Sequence, residues 1–345
     1  MTFGIIGSGS WGTALAKILT DNGQTISWWN RSEAAITQFK QRSHNPQYLP
    51  SARFDIHQLK LTTKIEEVIL HSDTIVIAIP SAYTIEALSI LPKNIFEGKK
   101  IVSAIKGILP QENLLLNDYL KLHFDVELED YFAVLGPCHA EEVAQEKLSY
   151  LTFAGQDINC TEIIAGYFKT SYINTIVNKD IYGVQYAAVL KNIYAIGAGM
   201  AHGLDYGDNF LSVLIANSAD EMAGFLRKAG IINAEVGYIE HKKNGKANHH
   251  NNYAASVYLG DLLVTCYSLH SRNRAFGNMI GKGYAVKAAQ LEMSMVAEGY
   301  YASKCMYHIN QSIMADMPIA TTVYDVLWNG MQASVGFQHI EAALV

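Results

Sequence analysis

Two charged residues stand in otherwise apolar stretches of the sequence. Lys191 lies inside an apolar run with helical spacing, and Asp261 is followed directly by two leucines. A lysine on an apolar helix either snorkels, with its ammonium group in water, or has a chemical role such as general base. Composition alone favours neither interpretation, so both stay open at this point.

A compact polar cluster follows the Asp261 segment. Ser271-Arg272-Asn273-Arg274 combines two guanidinium forks, an amide and a hydroxyl, which together suit a bound anion. Earlier in the chain, Lys106-Gly107 comes after an apolar run that reads as a strand. Ligands of open α/β sheets bind at the carboxyl ends of parallel strands. These residues indicate an alcohol substrate that carries a phosphate, without naming it.

A glycine-rich motif occupies the start of the chain. Gly7, Gly9 and Gly12 fit the spacing GxGxxG, after an apolar run and before a helical pattern. In a dinucleotide-binding turn, the first glycine allows the tight turn, the second lets the backbone approach a pyrophosphate, and the third permits close helix packing. A ligand-free glycine turn is the alternative, and the context argues against it.

The second predicted strand ends in Trp28-Trp29-Asn30-Arg31. An acidic residue commonly binds the ribose 2′-hydroxyl of NAD at this position, and the chain has Asn30 and Arg31 instead. An arginine can bind a 2′-phosphate through charge-assisted hydrogen bonds. We therefore expect NADP to be accepted, the alternative being a solvated arginine without a ligand.

Positioning these residues requires an α/β half at the start of the chain. Apolar runs predict strands at 2–6, 25–29, 74–79, 100–105, 131–135, 149–154 and 172–177. Continuous β-branched runs are typical of a parallel sheet that is covered on both faces. We predict the α/β fold class, with an N-terminal Rossmann-like doubly wound sheet.

The remaining half of the chain has helical periodicity. We predict an all-α C-terminal domain, with domains at 1–180 for dinucleotide binding and 181–345 for substrate binding and catalysis. Glycines at 197, 199, 203 and 207 cluster where we expect a helix to end, which indicates that something approaches the backbone there. The polar segment 242–252 reads as an exposed loop.

Composition limits the class of protein. The chain has 345 residues, half of them hydrophobic, and a net charge of −6, which argues against a nucleic-acid surface. Its four cysteines are far apart, as expected of reduced thiols. No signal-peptide pattern or long apolar run occurs, so we expect a cytoplasmic protein without membrane insertion. Adjacent His249 and His250 are a poor metal pair, and we expect no metal.

The motifs resemble the NAD(P)-dependent glycerol-3-phosphate dehydrogenase family of bacteria. They run in family order over nearly the whole chain, and the Ser-Arg-Asn-Arg stretch joined to Gly-Asp-Leu is more specific than the glycine loop. The matching stretches are Gly7-Ser-Gly-Ser-Trp-Gly-Thr-Ala-Leu-Ala16, Asn45-Pro-Gln-Tyr-Leu-Pro50, Lys106-Gly107, Gly136-Pro137 with Ala140-Glu141, Leu190-Lys-Asn-Ile193, 203–209, Gly260-Asp-Leu-Leu263, Ser271-Arg-Asn-Arg274, Val296-Ala-Glu-Gly299 and Met317-Pro-Ile319.

The resemblance implies roles for individual residues. Lys191 is implied to take the proton of the C2 hydroxyl of glycerol 3-phosphate, Lys106 to polarise the developing oxyanion, and Asp261 to orient Lys191 or a substrate hydroxyl. The implied contacts of NAD or NADP are Gly7, Gly9, Ser10, Trp11, Gly12, Arg31, Lys106, Ala140, Arg272, Val296 and Glu298. The implied substrate contacts are Lys106, Gly136, Cys138, Lys191, Asn192, Asp261, Ser271, Arg272 and Asn273. A homodimer and a place in glycerophospholipid synthesis are also implied.

Three features depart from the family pattern. Cys138 stands where Ser or Thr is usual, Ile215-Ala-Asn-Ser218 replaces a common Thr-Arg-Gly, and the segment 231–258 is longer than usual. Two other functions remain as alternatives: a related hydroxyacid dehydrogenase of the 6-phosphogluconate type, and a redox sensor that binds NAD(P) without turnover. The Lys191 and Asp261 pair argues against the sensor.

Overall fold

The computed structural model describes residues 1–231, 254–293, 295 and 297–344. The chain divides into two compact units, Met1–Ile181 and Tyr182–Val345.

The first unit is built on one eight-stranded sheet, in the order β3-β2-β1-β4-β5-β6-β7-β8. All neighbouring strands are parallel except β6 and β7, which are antiparallel. The strands are β1 (Phe3–Ile6), β2 (Ile26–Trp29), β3 (Leu59–Thr62), β4 (Thr74–Ile77), β5 (Lys100–Ser103), β6 (Tyr131–Leu135), β7 (Ser149–Gly155) and β8 (Ile173–Asn178). The strand order reverses between β1 and β4, where doubly wound sheets bind ligands.

Apolar runs explain most of this sheet. All residues of β1, β4 and β6 are buried, as expected for strands covered on both faces. Apolar runs in the sequence predict seven of the strands but not β3, where only Leu59 is buried. Its alternating Leu-Lys-Leu-Thr pattern, at the edge of the sheet, has no continuous apolar run to mark it.

Seven α-helices surround the sheet in this unit. They are α1 (Ser10–Asp21), α2 (Glu33–Arg42), α3 (Ile65–Leu70), α4 (Ser81–Leu88), α5 (Leu116–Phe124), α6 (Ala140–Ala144) and α7 (Ile158–Gly166). Helix α1 follows β1 and is almost entirely buried, with Leu15 and Ile18 in the same apolar cluster as Phe3 and Val76. The predicted Rossmann-like sheet is therefore confirmed.

The second unit is helical throughout its described residues. Its α-helices are α8 (Ile181–Gly203), α9 (Asp208–Lys228), α10 (Asp261–Tyr267), α11 (Arg272–Gly281), α12 (Val286–Glu292), α13 (Glu298–Ile313), α14 (Pro318–Trp328) and α15 (Ala333–Ala343), with a π-helical turn, Ala254–Gly260, before α10. The all-α prediction is confirmed for this part of the chain.

The glycines of α8 have a different position from the predicted one. Gly197 and Gly199 lie inside the helix, which continues to Gly203, so they do not mark its end. What approaches them is another helix. A Cβ on Gly199 would collide with the carbonyl oxygen of Arg274 in α11, and one on Gly277 would collide with that of Ile196 in α8. The glycines bring the two helix backbones into direct contact.

Candidate active site

The glycine loop after β1 has the geometry of a dinucleotide turn. Gly7 has φ +130°, and a Cβ there would collide with the carbonyl oxygen of Ala78 beyond β4. A Cβ on Gly12 would collide with the carbonyl oxygen of Gly7, so that helix α1 packs closely against the loop. Gly9 is different, because no described atom lies within 4 Å of its Cβ position. Close packing therefore explains Gly7 and Gly12, whereas Gly9 leaves open space beside the start of α1.

The first turn of α1 is suited to an anion. Gly9 precedes the helix and provides no side-chain cap, and the first turn contains no acidic residue. The amide groups at a helix start attract negative charge, and an approaching diphosphate meets no carboxylate there. These observations show that the loop fits a dinucleotide.

Asn45 holds this loop in place. Its side-chain amide is buried and donates to the Ser8 carbonyl oxygen at 2.9 Å and to the Thr13 hydroxyl at 2.8 Å. Its own oxygen accepts from the backbone amides of Gln47 and Tyr48. Asn45 belongs to one of the stretches that resemble the family, but its sequence context predicts no role for it. An asparagine before a proline marks a turn in the sequence, but nothing in the pattern shows which loop its amide reaches.

The end of β2 carries the residue expected to select the coenzyme. Asn30 is buried, and its side-chain amide donates to the Trp28 carbonyl oxygen at 3.5 Å, so the side chain does not point into solvent. Arg31 follows it and is exposed. Arg31 comes shortly after β2, which is the neighbour of β1 in the sheet.

Lys106 contacts the glycine loop through Trp11. Its ammonium nitrogen lies 4.9 Å from the centre of the Trp11 ring, within the range of a cation–π interaction. The indole Nε1 of Trp11 is buried and has no hydrogen-bond partner among the described residues. The loops after β1 and β5 therefore meet, as expected for strands that flank β4.

The segment after β6 contains three more predicted contacts. Gly136 has φ +128°, and a Cβ there would lie 2.7 Å from the carbonyl oxygen of Tyr150, so a side chain is disfavoured. Cys138 is buried, and Ala140 begins the short helix α6. None of the four cysteines, all of which lie among the described residues, forms a disulfide.

In the second unit, Lys191 and Asp261 form a buried ion pair. Lys191 is 3% exposed and Asp261 1% exposed, and the ammonium group contacts Oδ1 of the carboxylate. A snorkelling lysine would place its ammonium in water, so this geometry excludes that interpretation. The second oxygen, Oδ2, is also buried and has no hydrogen-bond partner among the described residues. Buried acceptors are normally satisfied, so Oδ2 is suited to a substrate hydroxyl.

Cys266 lies near this ion pair on α10. Burial raises the pKa of the Cys266 thiol to about 12, although the positive charges of Lys191 and Arg274 lower it in part. The thiol therefore stays neutral near pH 7 and does not compete with Asp261 as a negative partner of Lys191.

The four residues of the predicted anion cluster have different environments. Ser271 caps α11, since its hydroxyl accepts from the backbone amide of Arg274 at 3.2 Å. Arg272 is exposed at the first position of the helix, where the helix dipole also favours an anion. Asn273 is buried and hydrogen-bonded inside the protein, donating to Asn192 and accepting from Gly299. Arg272 is thus the exposed cation of the cluster, whereas Arg274 is half-buried.

Of the two remaining predicted coenzyme contacts, Glu298 lies among the described residues and Val296 does not. Glu298 is the first residue of α13 and is half-buried. Val296 lies outside the described residues, and so does the polar segment 242–252 with His249 and His250. In the described part of the chain, no group of three or more His, Cys, Asp or Glu could hold a metal ion. Nor does any described helix have the length and apolar character needed to cross a bilayer.

A second buried carboxylate was not predicted from the sequence. Glu221 on α9 accepts from the backbone amides of Ile319 at 2.8 Å and Ala320 at 2.9 Å, and so caps the start of α14. Burial raises the pKa of Glu221 to about 7, although these two hydrogen bonds lower it in part. The only signal in the sequence is an acidic residue on the apolar face of a helix, which does not reveal its partner.

A glycine turn at the switch point of a doubly wound sheet, joined to a helical unit with a buried lysine–carboxylate pair, defines the class of two-domain dinucleotide-dependent dehydrogenases. Comparison with known sequences gives the family. The profile of the NAD-dependent glycerol-3-phosphate dehydrogenase N-terminus matches residues 2–161, and that of the C-terminus matches residues 180–338. The chain belongs to the NAD-dependent glycerol-3-phosphate dehydrogenase family.

Individual relatives agree with this assignment. The chain is 32% identical to a glycerol-3-phosphate dehydrogenase (NAD(P)+) of Bacillus subtilis (strain 168) over 339 residues, which cover 98% of this chain and 93% of the relative. A crystal structure of glycerol-3-phosphate dehydrogenase from Coxiella burnetii superposes with a TM-score of 0.86 at 25% identity, covering 98% of each chain. The yeast enzyme (Saccharomyces cerevisiae) shares the fold, with a TM-score of 0.80 at 22% identity and 99% of each chain covered.

Proposed function

We propose that the protein catalyses reversible hydride transfer between NAD(P)H and dihydroxyacetone phosphate, giving sn-glycerol 3-phosphate. The buried Lys191–Asp261 pair carries this proposal, because it provides a proton-transfer group and a buried acceptor for a hydroxyl at one place. Membership of the family supports the substrate and the coenzyme.

The chain's own residues would handle the protons and charges of the reaction. A nicotinamide coenzyme held at the glycine loop Gly7–Gly12 would supply the hydride chemistry at C2 of the substrate. In oxidation, the neutral amine of Lys191 takes the proton of the C2 hydroxyl as the hydride leaves. In reduction, the Lys191 ammonium returns a proton to the oxygen on C2. General acid–base catalysis of this kind contributes about 10²–10⁴-fold in rate.

The neighbouring groups bind and orient the substrate. Asp261 holds Lys191 through Oδ1 and accepts a substrate hydroxyl through Oδ2. Arg272, together with the start of α11, binds the phosphate, and Lys106 stabilises negative charge on the substrate oxygen. The remaining proposed substrate contacts are Gly136, Cys138, Asn192, Ser271 and Asn273.

The coenzyme contacts that we propose lie mainly on the first unit. The diphosphate binds at the start of α1, and Arg31 contacts the 2′-phosphate of NADP. The full proposed set is Gly7, Gly9, Ser10, Trp11, Gly12, Arg31, Lys106, Ala140, Arg272, Val296 and Glu298. The domain functions follow from this division, with dinucleotide binding at 1–180 and substrate binding and catalysis at 181–345.

A spectrophotometric assay tests the proposed function. Purified protein is mixed with NADPH or NADH and dihydroxyacetone phosphate, and the absorbance of the reduced nicotinamide is followed. We expect its loss to depend on dihydroxyacetone phosphate. Oxidation of 6-phosphogluconate by NADP⁺, without turnover of dihydroxyacetone phosphate, would indicate the hydroxyacid dehydrogenase alternative. Binding of NADPH without turnover of either substrate would indicate the sensor alternative.

The cellular setting is part of the same proposal. sn-Glycerol 3-phosphate carries two hydroxyls that can be acylated, so the product suits glycerophospholipid synthesis. The proposal includes a cytoplasmic location, and a homodimer as the family resemblance implies. Light scattering of the purified protein tests the dimer, and a monomer at micromolar concentration would contradict it.

A further inference from the structure

Three segments of the second unit carry a proposed functional residue next to a residue that is hydrogen-bonded inside the protein. Lys191 precedes Asn192 on α8, Arg272 precedes Asn273 on α11, and Glu298 precedes Gly299 on α13. The three inner residues contact one another. Asn273 Nδ2 donates to Asn192 Oδ1 at 2.8 Å, and the backbone amide of Gly299 donates to Asn273 Oδ1 at 3.0 Å.

The orientation of both amides is fixed by this arrangement. A backbone N–H can only donate, so the atom of Asn273 that faces Gly299 must be the oxygen. The Nδ2 group of Asn273 must then face Asn192, and the facing atom of Asn192 must be its oxygen. Both side chains are buried, at 5% exposure for Asn192 and 7% for Asn273. Neither amide can turn over without leaving a buried polar group unsatisfied.

Asn273 also caps a helix to which it does not belong. Helix α13 starts after Ala297, which provides no side-chain cap. The amide of Gly299 is one of the groups that a helix start leaves without an internal partner. The oxygen of Asn273 satisfies it from α11, and so ties the starts of these two helices together.

The helix backbones lie very close together around the hydrogen bonds of Asn192, Asn273 and Gly299. A Cβ on Gly299 would collide with the carbonyl oxygen of Asn192, so α13 lies directly against α8. The Gly199 and Gly277 contacts place α11 equally close to α8. Since the backbones already touch, the helices cannot move closer together, so the amide contacts act against their separation and against fraying at the start of α13.

We propose that Asn192 and Asn273 form a buried amide relay that sets the relative positions of Lys191, Arg272 and Glu298, which makes Asn273 a positioning residue for the reaction. The inference rests on the proposed function of those three residues. It assigns Asn273 a role beyond a phosphate contact. The two roles are compatible, because the relay uses the amide oxygen and only one N–H. Misplacement of reacting groups by about 1 Å can reduce rate by about 10²-fold.

The experiment compares Asn273→Ala, Asn192→Ala and the double variant in dihydroxyacetone phosphate reduction. A positioning role predicts that kcat falls by roughly tenfold or more in each single variant, and that the double variant is no slower than the slower single variant, since both changes break one relay. A role limited to the phosphate predicts that Asn273→Ala raises KM and leaves kcat unchanged. That result, or losses that multiply in the double variant, would overturn the proposal.

A matched control separates positioning from stability. Asn310 near the end of α13 makes the same kind of amide contacts, accepting from the backbone amide of Ala315 and donating to its carbonyl, both at 2.9 Å. Asn310→Ala should lower the melting temperature and leave kcat unchanged. An equal fall in kcat in this control would mean that the losses at Asn192 and Asn273 report instability.

Hydrogen exchange provides a readout that does not depend on activity. The Gly299 amide should lose protection in Asn273→Ala and keep it in Asn310→Ala. Wild-type protein that turns over dihydroxyacetone phosphate establishes the proposed function whatever the variants do. Lost protection with an unchanged kcat would show that the relay exists and does not position the reaction.

Discussion

At the scale of single residues, the burial of Lys191 excludes snorkelling, one of the two roles that its sequence context allowed, and the general-base role is a prediction. We predict that Lys191→Met loses about 10²–10⁴-fold in turnover, because the proton-transfer group is gone. Coenzyme binding, measured by NADPH fluorescence, should change little, since the glycine loop belongs to the other unit.

The same substitution has a second effect that must be controlled. Removing Lys191 leaves Asp261 as an unpaired buried charge, and breaking such a pair costs about 3–5 kcal/mol of stability. The double variant Lys191→Met with Asp261→Asn removes both charges and should regain most of that stability without regaining turnover. Near wild-type turnover in the folded single variant would contradict the mechanism.

Coenzyme choice is a second question at the residue scale. Arg31 is exposed at the position where an acidic residue would bind the ribose of NAD. We predict that the wild type uses NADP(H) at least comparably to NAD(H), and that Arg31→Asp shifts the ratio of kcat/KM values toward NAD(H). Steady-state kinetics with both coenzymes measure this ratio. Refusal of NADP(H) by the wild type would show that Arg31 does not contact a 2′-phosphate.

At the scale of elements, the contact of α8 with α11 depends on glycine. We predict that Gly199→Ala destabilises the protein by about 1–3 kcal/mol or more, because the added methyl would overlap the carbonyl oxygen of Arg274 and force the helices apart. Chemical denaturation measures the loss. Gly224→Ala on α9 is the matched control, since no described atom lies within 4 Å of its Cβ position. Alanine should be neutral or stabilising there by up to about 1 kcal/mol. Equal effects of the two substitutions would contradict the packing argument.

The strands and helices also differ in how well the sequence alone predicts them. Strands with continuous apolar runs, such as β1 and β4, are visible in the sequence because burial on both faces requires such runs. The edge strand β3 has no such requirement and was missed. The cluster at Ser271–Arg274 was recognised as a site, but its division into the cap Ser271, the exposed Arg272 and the buried Asn273 depends on neighbouring helices. Local sequence does not contain the directions of those side chains.

At the scale of the whole molecule, phosphate binding has to be local. The net charge is −6, so the overall field does not attract a phosphorylated substrate or coenzyme. The structure provides the opposite charge at separate points instead: the start of α1, the exposed Arg31, Lys106 over Trp11, and Arg272 at the start of α11. Binding of both ligands should therefore depend on these few residues and little on the rest of the surface.

The stability of the whole molecule should depend on pH through Glu221. Its pKa is raised from 4.5 to about 7 by burial between α9 and the start of α14, where Tyr194 and Asp316 are its ionisable neighbours. Between pH 4.5 and 7 the folded protein holds a proton at this site that the unfolded chain has lost. Folding is therefore favoured at the lower pH, and this contribution disappears as pH rises through 7.

We predict that Glu221→Gln, which cannot ionise, flattens this dependence, while its Nε2 faces one of the two backbone amides and lowers stability at every pH. The shift corresponds to about 3 kcal/mol over the full range. The free energy of unfolding of the wild type, relative to the variant, should fall by an amount of that order between pH 4.5 and 7.5 and stay constant above it. Denaturant titrations of both proteins at several pH values measure the difference, in which the other carboxylates cancel. Parallel curves for the two proteins would mean that Glu221 is ionised throughout, and that the start of α14 is capped by a full charge.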